Sequence, residues 1–277
     1  MYPEVAGIVL AGGRSSRMGR PKAALEWHGS TLLHRVTAIV ARVVAGPVVV
    51  VRAAGQELPE LPSGVELAED AREGRGPLEG LAAGLAAVTG RARAAYVSST
   101  DAPFLHPAFV AAVVDAAAPE KVDVALPVAR GHRQPLAAAY ATALLPLLEE
   151  LIGADRMAPA DLFERCRVRE LMEADLLSDP ALAGGDPGLL SLLNVNDSGE
   201  YELALKRETP EVTVHRLGNG RGDGPLTVRA ATLGGAAAAA GVILDRHVVA
   251  TLGAGQVVRD PREPLAAGDS VAFRSAR

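Results

Sequence analysis

The feature that most constrains this chain lies in its first forty-four residues. An apolar run over residues 5–10 stops at Ala11-Gly12-Gly13, and from Thr31 onward Leu32, Leu33, Val36, Ile39, Val40, Val43 and Val44 recur at helical spacing, with Ser30 or Thr31 as cap. A buried strand that runs into a glycine-rich loop and returns through a helix begins an α/β alternation. The alternation continues with strands expected at 48–51 and 65–68, a helix at 78–88 entered through Gly76-Pro77, and a strand at 94–97 ending at Ser98-Ser99-Thr100-Asp101. Such a pattern predicts a mostly parallel sheet covered by helices on both faces.

Further along, the pattern predicts a helix over 107–117, a strand over 122–128 and its hairpin partner over 134–139 across Arg130-Gly131-His132. Helices are expected at 142–151, 159–166 and 198–206, the last opened by Asp197-Ser198-Gly199-Glu200 in the form of a capping box. Residues 172–193 show little periodicity, with Gly184-Gly185-Asp186-Pro187-Gly188 marking a loop.

After Thr209-Pro210 the pattern changes to short strand-like runs at 212–217, 226–230, 242–244, 248–252 and 271–273, with one Ala-rich helix within 231–241. The expected organisation is a main domain over residues 1–208 and a small, strand-dominated α+β domain over 211–277.

Composition excludes several function classes. With 49% hydrophobic and 22% charged residues among 277, the chain holds enough apolar material for a core. A net charge of -5 and only 3% aromatic residues argue against nucleic acid as a partner. The longest apolar run, roughly 233–244, is shorter than the ~20 residues a membrane helix needs. A single cysteine, Cys166, makes no internal disulfide and suits a reducing cytoplasm; its expected place is a helix, as a small apolar side chain. His28, His34, His106, His132, His215 and His247 lack metal-ligand spacing. Lysine is rare: Lys22, Lys121 and Lys206 are the only three, so a lysine carries more information here than an arginine.

The segment Leu10-Ala11-Gly12-Gly13-Arg14-Ser15-Ser16-Arg17-Met18-Gly19-Arg20-Pro21-Lys22 brings glycines and cations together directly after the first strand. Glycines let backbone N–H groups approach an anion, and Arg14, Arg17 and Lys22 add positive charge. Five residues separate Gly13 from Gly19 and no Gly-Lys-Ser/Thr follows, so the P-loop pattern fails; the dinucleotide fingerprint lacks its third glycine.

This loop resembles the signature of the molybdenum cofactor guanylyltransferases, within the nucleotidyltransferase superfamily. Gly76-Pro77-Leu78-Glu79-Gly80-Leu81 is similar to the family's second glycine motif, and Ser99-Thr100-Asp101-Ala102-Pro103-Phe104 to its metal-binding segment. Gln134-Pro135-Leu136 and Asn194-Val195-Asn196 are similar to two further blocks in the same order. The resemblance implies a Rossmann-like α/β domain that transfers GMP from GTP to molybdopterin with release of pyrophosphate. It implies nucleotide contacts from Leu10, Ala11, Gly12, Gly13, Arg14, Ser15, Lys22, Asp70, Gly76, Pro77, Leu78 and Asp101, with Arg17, Lys22 and Asp101 catalytic. Asp101 would hold Mg2+, and Gln134, Asn194 and Asn196 would meet the acceptor.

Pro21 before Lys22 is a form associated with cytidylyltransferases of the same pterin, whereas Gly12-Gly13 follows the guanylyl type. A cytidylyltransferase, a transferase for another phosphorylated metabolite, and a non-catalytic nucleotide-binding scaffold remain the alternatives. The C-terminal part is similar to the β-grasp sulfur carriers of molybdopterin and thiamine synthesis, through Thr227-Val228-Arg229, the Ala-rich helix and the Asp260 to Val271 segment. Those carriers end in Gly-Gly, whereas this chain ends in Ser275-Ala276-Arg277. Its expected role is docking, of molybdoenzyme-maturation proteins for example, or self-association, rather than sulfur transfer.

Overall fold

The computed structural model describes residues 2, 4–12, 21–70, 74–118, 120–217, 224–253 and 255–275. From β1 (Val5–Leu10) the chain passes a small hairpin, β2 (Glu26–Trp27) and β3 (Ser30–Thr31), into α1 (Leu32–Val43). Thr31 caps α1, its hydroxyl accepting from the His34 backbone N–H at 3.2 Å. There follow β4 (Val48–Ala53), β5 (Glu66–Asp70), α2 (Pro77–Val88), β6 (Ala94–Ser99), α3 (Pro107–Ala116), β7 (Val124–Ala129), β8 (His132–Arg133) and β9 (Ala137–Ala141). Next come α4 (Leu145–Gly153), α5 (Pro159–Phe163), β10 (Val168–Met172), α6 (Glu173–Leu176), α7 (Pro180–Gly185) and α8 (Ser198–Leu205).

One sheet runs in the order β10-β7-β9-β6-β1-β4-β5, with β8 paired to β7. All neighbours are parallel except at β8 and β9. Alternate residues feed opposite faces. Val9, Val50 and Tyr96 meet α1 and α3 on one side, while Ile8, Val49, Val51 and Val97 meet α2 and α4 on the other. Each fully buried leucine in these layers, such as Leu33 or Leu85, stabilises the fold by about 1.5–3 kcal/mol relative to exposure. Gly84 lets α2 lie close to the sheet, since a Cβ there would fall 2.6 Å from Ile8 Cγ2.

Several expectations are corrected. The expected hairpin partner of the 122–128 strand is divided in two: the tight turn leads into β8, and β9, which holds Ala137–Ala139 of the expected partner, pairs antiparallel with β7 on one side and with β6 on the other. β10 was not expected, because an edge strand with mostly exposed side chains gives no apolar run. The 159–166 helix stops at Phe163, leaving Cys166 in the bend before β10. Residues 142–151 divide into a 3-10 turn at Thr142–Leu144 and α4. Within 172–193, short helices α6 and α7 form, the latter containing Gly184 and Gly185. The capping box at α8 is shifted: Asp197 accepts from the Glu200 N–H, but the Glu200 carboxylate accepts from Asn196.

The second sheet comprises β11 (Glu211–Leu217), β12 (Leu226–Arg229), β13 (Val248–Leu252), β14 (Gln256–Val258) and β15 (Ser270–Ser275), with α9 (Leu233–Ala239) against it. Its order, β12-β11-β15-β13-β14, has β11 parallel to β15 and the other pairs antiparallel, which is a β-grasp arrangement. Residues 242–244 are not a strand; they follow the turn after α9, and β14 takes the fifth place.

The two sheets meet along α1. Arg42 makes a bidentate pair with Asp269, at 2.9 and 2.7 Å, and Arg262 does the same with Glu60, at 2.8 and 3.1 Å. Arg35, 3% exposed, donates to three backbone carbonyls: Pro103 at 2.5 Å, Ala231 at 3.1 Å and Leu265 at 3.2 Å. Among the described residues no helix is long and apolar enough to cross a membrane.

Candidate active site

At the carboxyl ends of the parallel strands lies a cleft of about 470 Å³. It opens where the strand order reverses, between β1 and β6, the position at which open α/β sheets take their ligands. Leu10, Ala11 and Gly12 enter from β1, Asp70 from β5, Gly76, Pro77 and Gly80 from the start of α2, and Ser99, Thr100 and Asp101 from β6. Lys22 enters from the segment before the β2–β3 hairpin, and Leu136 from the turn before β9. Gly76 adopts φ +110°, a conformation open to glycine, and so turns the chain into α2 at the cleft wall.

Lys22 Nζ lies 2.7 Å from Asp101 Oδ2, although the residues are 79 apart in sequence. The other carboxylate oxygen, Oδ1, accepts from the Ser99 hydroxyl at 2.5 Å. Asp101 is only 16% exposed and Lys22 21%, so their charges meet in a partly dehydrated setting. The backbone around them is pinned. The Thr100 hydroxyl donates to the Leu10 carbonyl at 2.9 Å, and Val195 N–H to the Asp101 carbonyl at 2.9 Å. Gln56 donates to the Ala11 carbonyl at 3.1 Å while its own oxygen accepts from Ala53.

An aromatic cluster ties the two functional segments together. Trp27, just beyond Lys22, packs edge to face on Phe104, just beyond Asp101, with ring centroids 5.3 Å apart. Tyr201 of α8 completes it, donating from its hydroxyl to the Glu26 carbonyl at 2.5 Å.

The structure gathers Leu10, Ala11, Gly12, Lys22, Asp70, Gly76, Pro77 and Asp101 into this one cleft. Leu78 instead points into the apolar layer under α2, 2% exposed. Gln134 donates its amide to the His132 carbonyl at 3.3 Å within its own hairpin. Asn194 and Asn196 flank the Asp101 backbone through Val195 without lining the cleft, Asn196 being exposed. Gly13, Arg14, Ser15 and Arg17 lie outside the described residues. Sequence reasoning missed Gln56 and the part of Thr100 in holding β1; Gln56 follows Gly55 in a turn after β4, which is too common a signal to mark it.

A hard divalent cation fits this donor set. One carboxylate with hydroxyls beside it suits a metal that keeps several waters and completes its shell from phosphate oxygens. Among the described residues no group of three or more His, Cys, Asp or Glu is placed to hold a metal by itself. Cys166 is not a candidate nucleophile, because burial pushes its thiol up to about 11. His34 is buried with its proton affinity lowered by burial, and His106 caps α3, so both serve packing.

Glycine-led backbone, a lysine and an acid at the switch point of a mostly parallel sheet define a nucleotide-binding α/β protein of the nucleotidyltransferase type. The family model described as MobA-like NTP transferase domain matches residues 7–169, and the chain belongs to that family. It is 32% identical over 201 residues to the molybdenum cofactor guanylyltransferase of Desulfosudis oleivorans, covering 72% of this chain and 94% of the relative. A probable molybdenum cofactor guanylyltransferase of Mycobacterium bovis is 36% identical over 174 residues, 62% of this chain and 85% of that protein. In fold, the chain is similar to molybdopterin-guanine dinucleotide biosynthesis protein A from Archaeoglobus fulgidus, with a TM-score of 0.58, 21% identity, and 73% of this chain and 97% of that one covered.

Proposed function

We propose that this protein transfers GMP from Mg-GTP to molybdopterin, releasing pyrophosphate, in the cytoplasm. The observation that carries this reading is the Lys22–Asp101 pair, at 2.7 Å inside the glycine-walled cleft of a chain whose relatives are named for this activity. In the reaction an acceptor phosphate oxygen bonds to the α-phosphorus, the bond from that phosphorus to the bridging β-phosphate oxygen breaks, and negative charge gathers on the leaving pyrophosphate.

Lys22 is the group that meets this charge, exchanging its carboxylate partner for phosphate oxygens, with Arg17 joining it. Gly12, at the cleft wall, offers its backbone N–H to the same oxygens. Asp101, released by Lys22 and oriented by the Ser99 hydroxyl, would hold Mg2+, which when bound would supply Lewis-acid polarisation of the phosphates. Asp70, which lines the cleft, is assigned to the base or ribose. No protein nucleophile is required.

The test is a nucleotide panel. With molybdopterin and Mg2+, the purified chain should release pyrophosphate with GTP and not with ATP or UTP. Faster turnover with CTP would identify Pro21-Lys22 as the mark of a cytidylyltransferase. Tight GTP binding without pyrophosphate release would favour the scaffold reading.

A further inference from the structure

Two of the three arginines at the junction of the sheets use carboxylates: Arg42 pairs with Asp269, and Arg262 with Glu60. Arg35 uses none. Its guanidinium is spread over three backbone carbonyls, and one of them, Pro103, lies two residues beyond Asp101. The other two, Ala231 and Leu265, belong to the β-grasp region. Among the described residues Arg35 is the only junction arginine that bonds both to the Asp101 segment and to the C-terminal region. His106 reinforces the tie a few residues further on. Its Nδ1 accepts from the Ala108 N–H at 3.1 Å, which leaves Nε2, 3.0 Å from the Ala267 carbonyl, as the donor.

The segment 101–106 is therefore held from the C-terminal side by Arg35 and His106, and from the cleft side by Trp27 against Phe104. Carbonyl partners are fixed in the backbone, so this tie transmits the position of the β-grasp region to the loop that carries Asp101. Removing the guanidinium would leave three acceptors in a buried place without their donor.

We propose that Arg35 is a positioning residue for the transfer reaction, through which docking of the β-grasp region fixes the Asp101 loop and sets the catalytic rate without touching substrate. The proposal rests on the assignment of Asp101 as the Mg2+-holding carboxylate. Trp27, the single tryptophan of the chain, packs on Phe104 and reports the state of that loop by fluorescence.

The experiment compares Arg35→Met, Arg35→Lys, Arg42→Met and Asp101→Ala in the full chain. Its readouts are kcat, the KM for GTP, thermal midpoint, and Mg2+ titration of Trp27 fluorescence with GTP present. Arg35→Met should lower kcat roughly 100-fold, as ångström-scale misplacement of a reacting group does, raise the Mg2+ half-saturation about tenfold, and leave the KM for GTP within about threefold. Arg35→Lys should recover part of both losses. Arg42→Met, which weakens the junction without touching Pro103, should lower the midpoint while kcat stays within about threefold.

Unchanged kcat and Mg2+ half-saturation in Arg35→Met would overturn the proposal, as would equal kcat losses in the Arg35→Met and Arg42→Met variants. Should Arg35→Met not fold, Arg35→Lys carries the test by the same comparison. An Asp101→Ala variant with parental Mg2+ response would instead refute the metal assignment, whatever the arginine variants do to kcat.

Discussion

Lys22 and Arg35 are both cations of the N-terminal region, and the two parts of the molecule use them in opposite ways. In the cleft, Lys22 faces one side-chain carboxylate and remains 21% exposed. At the junction, Arg35 is 3% exposed and saturated by three carbonyls. A carboxylate can hand a cation over to a phosphate, because both are mobile anions competing for the same charge; three backbone carbonyls cannot. Burial, then the nearby Arg42, lowers the Arg35 value to about 10, so it keeps its charge at neutral pH. Exchangeable partners mark the site of chemistry, and saturated ones mark the frame that positions it.

The sharpest break of this contrast is Asp101→Ala. Turnover should be abolished while metal-free nucleotide binding survives, since the variant removes the proposed Mg2+ carboxylate but leaves Lys22 for phosphate. Pyrophosphate release within about tenfold of the parent at equal Mg2+ would sink the assignment. Next in size is Lys22→Ala, for which calorimetric titration should show GTP weakened by roughly 10- to 150-fold, the loss of one charge-assisted contact of ~1.5–3 kcal/mol. GMP, lacking the β- and γ-phosphates, should lose much less; equal losses would place Lys22 elsewhere on the nucleotide.

The junction side predicts smaller effects on binding. A fragment of residues 1–208 should fold and bind GTP without metal within about threefold of the full chain, because the cleft lining lies wholly before the second sheet. Its kcat should fall as in Arg35→Met. An unfolded fragment would show that the β-grasp region belongs to the same folding unit.

The smallest effect concerns Glu263, beside the Thr232–Pro264 bridge of the junction. Burial pushes its carboxyl up to about 7, with Arg42 opposing and Asp260 and Asp269 adding to the rise. Its neutral form therefore favours the folded state fully below the ordinary value of 4.5, and that contribution is lost as pH climbs to about 7. Glu263→Gln should gain thermal midpoint over the parent between pH 5 and 8; a difference independent of pH would show that Glu263 does not titrate in this window.

Much of the main fold was legible in the sequence because local pattern and packing agree there. The runs at β1, β4 and β6 are buried on both faces, as parallel strands are, and Thr31, Gly76-Pro77 and Asp197 stand at real helix starts. The reading failed where burial is one-sided or absent. β10 presents Arg169, Glu170 and Met172 to solvent, and the expected strand at 242–244 is an irregular stretch in which Val242 and Leu244 pack on the second core while Ile243 is exposed. Of the proposed site residues that the structure describes, Leu10, Ala11, Gly12, Lys22, Asp70, Gly76, Pro77 and Asp101 line the cleft, whereas Leu78 went to the core and Gln134 to its own hairpin.

The sequence by itself placed a buried strand ahead of a glycine-rich segment, pointed to Lys22 and Asp101 as the residues to watch, and marked a change of pattern near Thr209-Pro210. Each of these is written in a few neighbouring residues. Only the tertiary structure decided that Lys22 and Asp101 touch, that β9 enters between β6 and β7, and that Arg35 reaches Leu265 across 230 residues of chain. Those contacts depend on carbonyls and carboxylates brought together by sheet order, and in a chain so rich in arginine nothing in the local sequence sets Arg35 apart from the rest.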